Sequence, residues 1–388
     1  DFMDLKSVID TRRRGEPDIA FFVIVLLLAA IGIAMSYSAS AVVAARNFGD
    51  SFHFLKRQAV WFVAGFALLF LVQRFDYRNY IRHTKIMLFV SIVLLVLVLV
   101  PGVGHSVKGS ARWLGGGALA FQPSEFVKIF VVIYLAKVFS SEPEGRGNQV
   151  VQLLVPVVVV ALIFILVMMQ PDFGTAIDLL LVSVFVLFVS GFPFFYIAAL
   201  FVTSIPMFYL LVYQVGYRKD RMLAYLDPWK DPYGIGYHVI QSFTAFRRGG
   251  FYGVGLGYGA QKIKRLPEPH TDFVFAVIAE ETGLLGTILV LGLFCALFFK
   301  GMRIAQGAPD EFGRLLAMGL TLLVVLQAFL NIGVVTGSLP TTGIPLPFIS
   351  YGGSSLLSTL VAMGIVLNIS RYREVMQEEL KLSEEVWR

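Results

Sequence analysis

The sequence is poor in the residues that soluble proteins use for solvation and for metal chemistry. It has one cysteine and five histidines in 388 residues. Cys295 lies alone in an apolar run, which excludes an intrachain disulfide and a cysteine metal cluster. His238 and His270 are isolated, which suits solvent-facing or capping roles better than metal ligation. Charged residues make up 15% of the chain, whereas ordinary globular domains carry about 25%. That shortage excludes a soluble domain. No short fixed-period repeat and no low-complexity stretch is present.

What fills the chain is apolar, 57% of all residues, and this predicts an all-α polytopic membrane protein. The net charge of +6 does not point to nucleic acid, because basic residues of membrane proteins gather in cytoplasmic loops. Apolar runs predict about ten transmembrane helices, near 19–35, 58–73, 84–101, 124–139, 150–169, 174–190, 194–213, 272–299, 312–336 and 350–370. Ser36 to Ala41 resembles a signal cleavage site. The run before it is long for a signal, however, and many spans follow, so an uncleaved first helix is expected. Residues 1–18 and 371–388 read as cytoplasmic tails, the second as a short helix. Residues 19–370 read as one transmembrane domain, with 214–271 as one large extracytoplasmic loop between helices 7 and 8.

Orientation follows from charge. The tails and the loops near 74–85, 137–146 and 300–314 hold about seventeen of the 32 Lys and Arg, so both termini are expected in the cytoplasm. The opposite short loops hold Arg46, Lys56, Arg57, Lys108 and Arg112. The long loop is itself basic, and its charges include Arg218, Arg221, Arg247, Arg248, Lys262, Lys264 and Arg265. Loops of that length cross regardless of charge, so these residues call for another explanation.

Ionisable groups inside spans are costly and mark cavities or partners. Glu125 and Lys128 stand three apart and share a helix face after Gln122-Pro123-Ser124, either as a cap with a neutralising ion pair or as a ligand-facing cluster. Gln170-Pro171-Asp172-Phe173-Gly174-Thr175 repeats that helix-start grammar, with Asp172 in a structural role. Asp178 lies deeper, with no partner evident. Arg112-Trp113 places a guanidinium beside an indole, to clamp phosphate or to anchor the interface. Gly253 to Gly259 resembles a phosphate-binding glycine loop but lacks a preceding strand, and a turn is the plainer reading. The uncharged stretch Leu339 to Ser355 carries three prolines and reads as irregular backbone lining a cavity. Ser350 and Tyr351 there either offer hydroxyls to a ligand or belong to a tight turn held by Gly352 and Gly353.

The chain turns on Pro267-Glu268-Pro269-His270-Thr271-Asp272-Phe273. Two prolines stiffen the approach, and Thr271 or Asp272 reads as the N-cap of the following helix. A carboxylate at that edge is either a cap or a proton acceptor. Glu280 falls roughly 12 Å further along the helix and about 80° around it, and Glu281 near the opposite face, so neither pairs with Asp272 across one bond.

Arg112-Trp113, Gln122 to Lys128, Gln170 to Thr175, Pro267 to Phe273 and Ile349 to Ser354 together resemble the SEDS family of shape, elongation, division and sporulation proteins. Asp227 to Pro232 and Thr341 to Gly343 look more like the division type than the elongation type. Thr342, where some division members carry Lys, and His238 with Ala279-Glu280 keep the elongation type as the alternative. The resemblance implies a peptidoglycan glycosyltransferase. It would polymerise lipid II, an undecaprenyl-pyrophosphate disaccharide-pentapeptide, at the outer face of the cytoplasmic membrane. It would work with a class B penicillin-binding protein transpeptidase and other division or elongation machinery.

The family's essential loop aspartate matches Asp272, the expected catalytic base of an inverting displacement. Arg112, Trp113, Gln122, Glu125, Lys128, Lys262, Arg265, His270, Thr271, Ser350, Tyr351 and Gly352 are the expected substrate-binding residues. Charge on the leaving pyrophosphate calls for Lys and Arg or for a divalent cation, Mg or Mn, whose ligands the sequence leaves unknown. No organic cofactor is implied. Two rival readings are a lipid II transporter, for which mid-membrane charges would matter, and a non-catalytic scaffold for the penicillin-binding protein.

Overall fold

The computed structural model describes residues 15–107, 110–117, 120–140, 149–199, 202, 216–261 and 269–386. In chain order its elements are α1 (Ile19–Phe48), α2 (His53–Arg74), α3 (Asn79–Leu99), β1 (Gly104–Val107), β2 (Ser110–Leu114), α4 (Pro123–Ser140), α5 (Gln149–Met169), α6 (Phe173–Val189), α7 (Gly216–Leu226), α8 (Tyr237–Gly249), α9 (Val274–Gln306), α10 (Glu311–Val335) and α11 (Gly353–Val386). Among the described residues, six helices are long and apolar enough to cross a membrane: α1, α2, α3, α9, α10 and the Gly353–Tyr372 part of α11. α5 and α6 add shorter apolar stretches, Leu154–Met169 and Phe173–Val189. Of the span expected near 194–213, residues 194–199 and 202 are helical, and the rest lies outside the described residues.

Helix ends follow local chemistry. Asp18 accepts from the Phe21 N–H at 2.9 Å to start α1, which stops at Gly49 with φ 70°. Ser36 and Ser40 are buried inside α1, so the cleavage-like stretch is continuous helix. The bundle is centred on α10, which packs against α4, α6, α9 and α11. Its span is 78% buried against 22% for α2 and α3, whose Val60, Val63, Ile86 and Phe89 point outward as lipid-facing side chains do.

Two parts of the fold differ from expectation. The segment read as one loop over 214–271 contains α7, a 3-10 turn at Pro228–Lys230 and α8. A short antiparallel hairpin, β1 with β2, precedes α4. Neither shows in a search for long apolar runs, since these elements are short and mixed in polarity.

α9 is broken at Gly283 (φ 65°, ψ −158°). Across the break, Val254 and Gly255 N–H groups donate to the Glu280 and Glu281 carbonyls, and Leu284 N–H donates to Gly250 O. Any Cβ on Gly283 would lie 2.4 Å from Gly253 N. The glycines at 249–259 thus let a loop seat itself in a helix break, and its backbone satisfies the groups that the break exposes.

After the break, the continuous 284–306 part of α9 rises roughly 34 Å at 1.5 Å per residue, about the depth of a bilayer core, and leads to the other end of the bundle. At the far end Asp310 caps α10 through Gly313 N–H at 2.7 Å, accepts from the Tyr77 hydroxyl at 2.5 Å and pairs with Arg78 at 3.1 Å. Asn368 of α11 accepts from Tyr77 N–H at 3.0 Å, and the Arg78 guanidinium lies over the Tyr372 ring. Of the basic residues expected in the cytoplasm, Lys300 pairs with Asp18 and Arg371 donates to Gly15 O at this same end.

Candidate active site

Residues 269–273 form turns, and α9 begins at Val274 with Phe273 at the N-cap position and no capping side chain. Asp272 therefore sits one residue outside the helix, and the expected capping by Thr271 or Asp272 gives way to this arrangement. The reason lies in the backbone: the first carbonyl in the helical ladder is that of Phe273, which accepts from Ala276 and Val277. Asp272 is half-buried, and its carboxylate faces Gly343. A Cβ at Gly343 would lie 3.6 Å from Asp272 Oδ2, and Gly343 has φ 78°.

The proline-rich segment 339–351 is the floor of this site, and nearly every neighbour is bonded to it. Asn331 Nδ2 on α10 donates to Ile344 O at 2.7 Å and to Asp272 O at 2.8 Å. One turn earlier, Gln327 donates to Pro345 O at 3.0 Å. Arg221 of α7 donates to the carbonyls of Thr341 and Thr342 at 3.3 and 3.2 Å. The Ser350 hydroxyl donates to Thr271 O at 2.6 Å and accepts from Leu346 N–H at 2.8 Å. Tyr351 N–H donates to His270 O at 2.8 Å, and Gly352 N–H reaches Gln58. The rings of Phe54, His270 and Tyr351 pack together with centroids 4.9 to 5.8 Å apart. His270, Thr271, Asp272, Ser350, Tyr351 and Gly352 are thus brought together. Ser350 through its hydroxyl and Tyr351 through its backbone N–H join the two loops, and Gly352 N–H is bonded to Gln58 of α2.

Glu125 and Lys128 lie beneath, on α4. The Lys128 ammonium is 3.3 Å from Glu125, 3.3 Å from Asp178 on α6 and 2.6 Å from the Gln327 side-chain oxygen. Ser358 of α11 donates to Glu125 at 3.3 Å. All three ionised side chains are almost fully buried, so each relies on these contacts in place of water. Asp178, whose partner the sequence did not reveal, pairs with Lys128. Gln327 connects this group to the floor through Pro345.

Arg112 and Gln122 converge on Asp172. Arg112 lies 3.5 Å from the Asp172 carboxylate and donates to the carbonyls of Gln170 and Pro171. Gln122 donates to Asp172 at 3.1 Å, and Asp172 caps α6 through Thr175 N–H. Arg112 is thereby engaged in holding a turn, and the structural reading of Asp172 matches its cap geometry. Trp113 lies beside Arg112 in β2, opposite His105. This group also meets the floor: a Cβ on Gly174 would touch Ile344, and Gln122 N–H donates to Ser354. Lys262 and Arg265 lie outside the described residues.

The glycine-rich loop holds an internal carboxylate. Glu280 accepts from Ala260 N–H at 3.0 Å and Gln261 N–H at 3.1 Å, with Arg248 at 3.6 Å. Glu281 accepts from Ser38 at 2.6 Å. Both acids are buried, Glu280 against the end of the glycine loop and Glu281 against α1. Sequence reasoning missed Gln58, Arg221, Gln327 and Asn331. Gln327 and Asn331 are four apart in an apolar helix, a spacing that marks one polar face and could have drawn attention.

Among the described residues, no three His, Cys, Asp or Glu side chains come together as a metal site.

The family model described as "Cell cycle protein", for FtsW, RodA and SpoVE, matches residues 18–375. The chain is 43% identical over 363 residues to "Stage V sporulation protein E" of Bacillus subtilis, covering 93% of this chain and 99% of that one. It is 44% identical over 359 residues to "Probable peptidoglycan glycosyltransferase FtsW" of Trichlorobacter lovleyi, covering 92% and 94%. Among solved structures it resembles a chain from "Structural coordination of polymerization and crosslinking by a peptidoglycan synthase complex", with TM-score 0.76, 32% identity and coverage of 92% and 98%. It also resembles the rod shape determining protein RodA of Thermus thermophilus, with TM-score 0.69, 29% identity and coverage of 92% and 97%.

Proposed function

The chain belongs to the FtsW, RodA and SpoVE family of cell cycle proteins, and on that premise we propose that it is a multi-pass membrane peptidoglycan glycosyltransferase of the division type. Its substrate is lipid II, and its site faces outward from the cytoplasmic membrane. The observation that carries the reading is Asp272: a half-buried carboxylate outside its helix, against a loop floor held by polar contacts; the charge pattern of the loops supports placing it at the outer face. The relatives named FtsW support the division type over the elongation type.

In this mechanism the acceptor sugar hydroxyl attacks the donor anomeric carbon from the face opposite the pyrophosphate. The new glycosidic bond forms as the bond to the phosphate oxygen breaks, the configuration inverts from α to β, and Asp272 takes the hydroxyl proton. The polyprenyl pyrophosphate leaves with the bonding pair, and cationic side chains offset its charge. Lys128 and Arg112 are each paired with carboxylates of the protein, so the basic loop is the source proposed for that role. Arg221, already at the Thr341–Thr342 carbonyls beside Gly343, joins the candidates Lys262 and Arg265. A bound divalent cation would supply charge neutralisation at the pyrophosphate.

A class B penicillin-binding protein is the proposed partner, supported by likeness to a chain of a synthase complex that couples polymerisation to crosslinking. The test is glycan-strand formation from labelled lipid II by purified protein. Asp272→Asn is expected to fold and to make no strands, whereas strands at the wild-type rate would remove Asp272 as the base. A scaffold would tolerate the change.

A further inference from the structure

Asn331 lies on α10 between apolar neighbours and is 1% exposed. Its one side-chain nitrogen donates to two carbonyls from different loops, Asp272 O at 2.8 Å and Ile344 O at 2.7 Å. Its side-chain oxygen is buried with no hydrogen-bond partner among the described residues. That orientation is not interchangeable. Flipping the amide would set the oxygen against two carbonyl oxygens and leave both carbonyls without a donor. The protein accepts an orphaned acceptor on one side of this amide in return for two bonds on the other.

The Asp272 carbonyl has no place in the helical ladder, which begins at Phe273. Turn residues outside a helix are held by whatever side chains reach them, and for Asp272 O that side chain is Asn331. The same nitrogen fixes Ile344, next to Gly343, whose Cβ position lies 3.6 Å from the Asp272 carboxylate. One atom on the central helix therefore sets the spacing between Asp272 and the loop that faces it. Gln327, one turn away on α10, anchors the neighbouring carbonyl of Pro345 and keeps the floor in register.

We propose that Asn331 is a positioning residue for glycosyl transfer, acting through the main chain of Asp272 and the 342–345 floor. This rests on the reading of Asp272 as the base. The test uses the purified full chain with labelled lipid II, comparing Asn331→Leu and Asn331→Asp, both of which keep the branching of Asn at Cγ, with Asp272→Asn in parallel. Misplacing the carboxylate is expected to lower kcat by about ten- to a hundredfold, while KM stays within about twofold because the headgroup contacts remain.

Unchanged kcat in the Asn331 variants, with Asp272→Asn inactive, overturns the positioning role and leaves the base in place. A rise in KM with kcat intact also overturns it. Wild-type activity in Asp272→Asn removes the base and the positioning role together. If the Leu variant does not fold, the Asp variant carries the test. Loss of folded protein in both assigns Asn331 to the fold and counts against the proposal.

Discussion

The Lys128 ammonium lies 3.3 Å from the Asp178 carboxylate, and the two residues reach each other from different helices deep in the bundle. With Glu125 also 3.3 Å away, one cation sits between two acids. Removing the cation alone leaves two buried carboxylates facing each other. Lys128→Met is expected to destabilise the folded protein by about 3–5 kcal/mol, read as a lower thermal midpoint in detergent. The triple variant Glu125→Gln, Lys128→Met, Asp178→Asn is expected to regain most of that loss, because no uncompensated charge remains. A triple variant no more stable than Lys128→Met would show that packing, not charge balance, sets the cost.

Gly343 faces Asp272 with φ 78°. Gly343→Ala would strain a left-handed position by about 1–2 kcal/mol and bring a methyl group into contact with the carboxylate. Strand formation is expected to fall more steeply than stability does. Measuring both on the same preparation separates the two, and equal small losses would count against a close approach at this point.

Arg112 holds three consecutive residues, Gln170, Pro171 and Asp172. A lysine cannot span those acceptors from one planar group. Arg112→Lys is therefore expected to cost about 1–2 kcal/mol, as a lowered melting temperature, with lipid II affinity changed little. A large loss of affinity at unchanged stability would return Arg112 to the substrate.

At the opposite end, burial, and then the neighbouring Asp310 carboxylate, push the Tyr77 hydroxyl well above its ordinary value of 10.0. The folded chain keeps that proton where the unfolded chain releases it. The resulting stability is complete below pH 10 and is lost as pH climbs above it. Tyr77→Phe removes the titrating group, so its stability is expected to decline less steeply above pH 10 than the wild type's. Parallel alkaline slopes would show that Tyr77 does not govern this region.

The apolar runs located the long helices because a span must be continuous and uncharged, and α4 was legible despite its charges because Pro123 marks its start. α7, α8 and the β1–β2 hairpin were not legible, being short elements with no long apolar run. Asp272 stood out as a lone acid at a membrane edge, yet its place outside the helix depends on the Phe273 backbone, which no side-chain pattern encodes. The pairing of Lys128 with Asp178 and the hold of Asn331 on two loops join residues from distant parts of the chain, which spacing along one sequence cannot reveal. The glycines of 253–259 resembled a phosphate cradle, and the backbone N–H groups just beyond them, of Ala260 and Gln261, do bind a carboxyl group, the protein's own Glu280.

The break at Gly283 makes two mechanical bodies of α9. The upper stub, which starts beside Asp272, is stitched to the Gly249–Gly255 segment rather than continued smoothly from the rod below. The same segment is bonded to the rod as well, through the N–H groups of Leu284 and Leu285, so it splints the break and ties the stub that starts beside Asp272 to the rod.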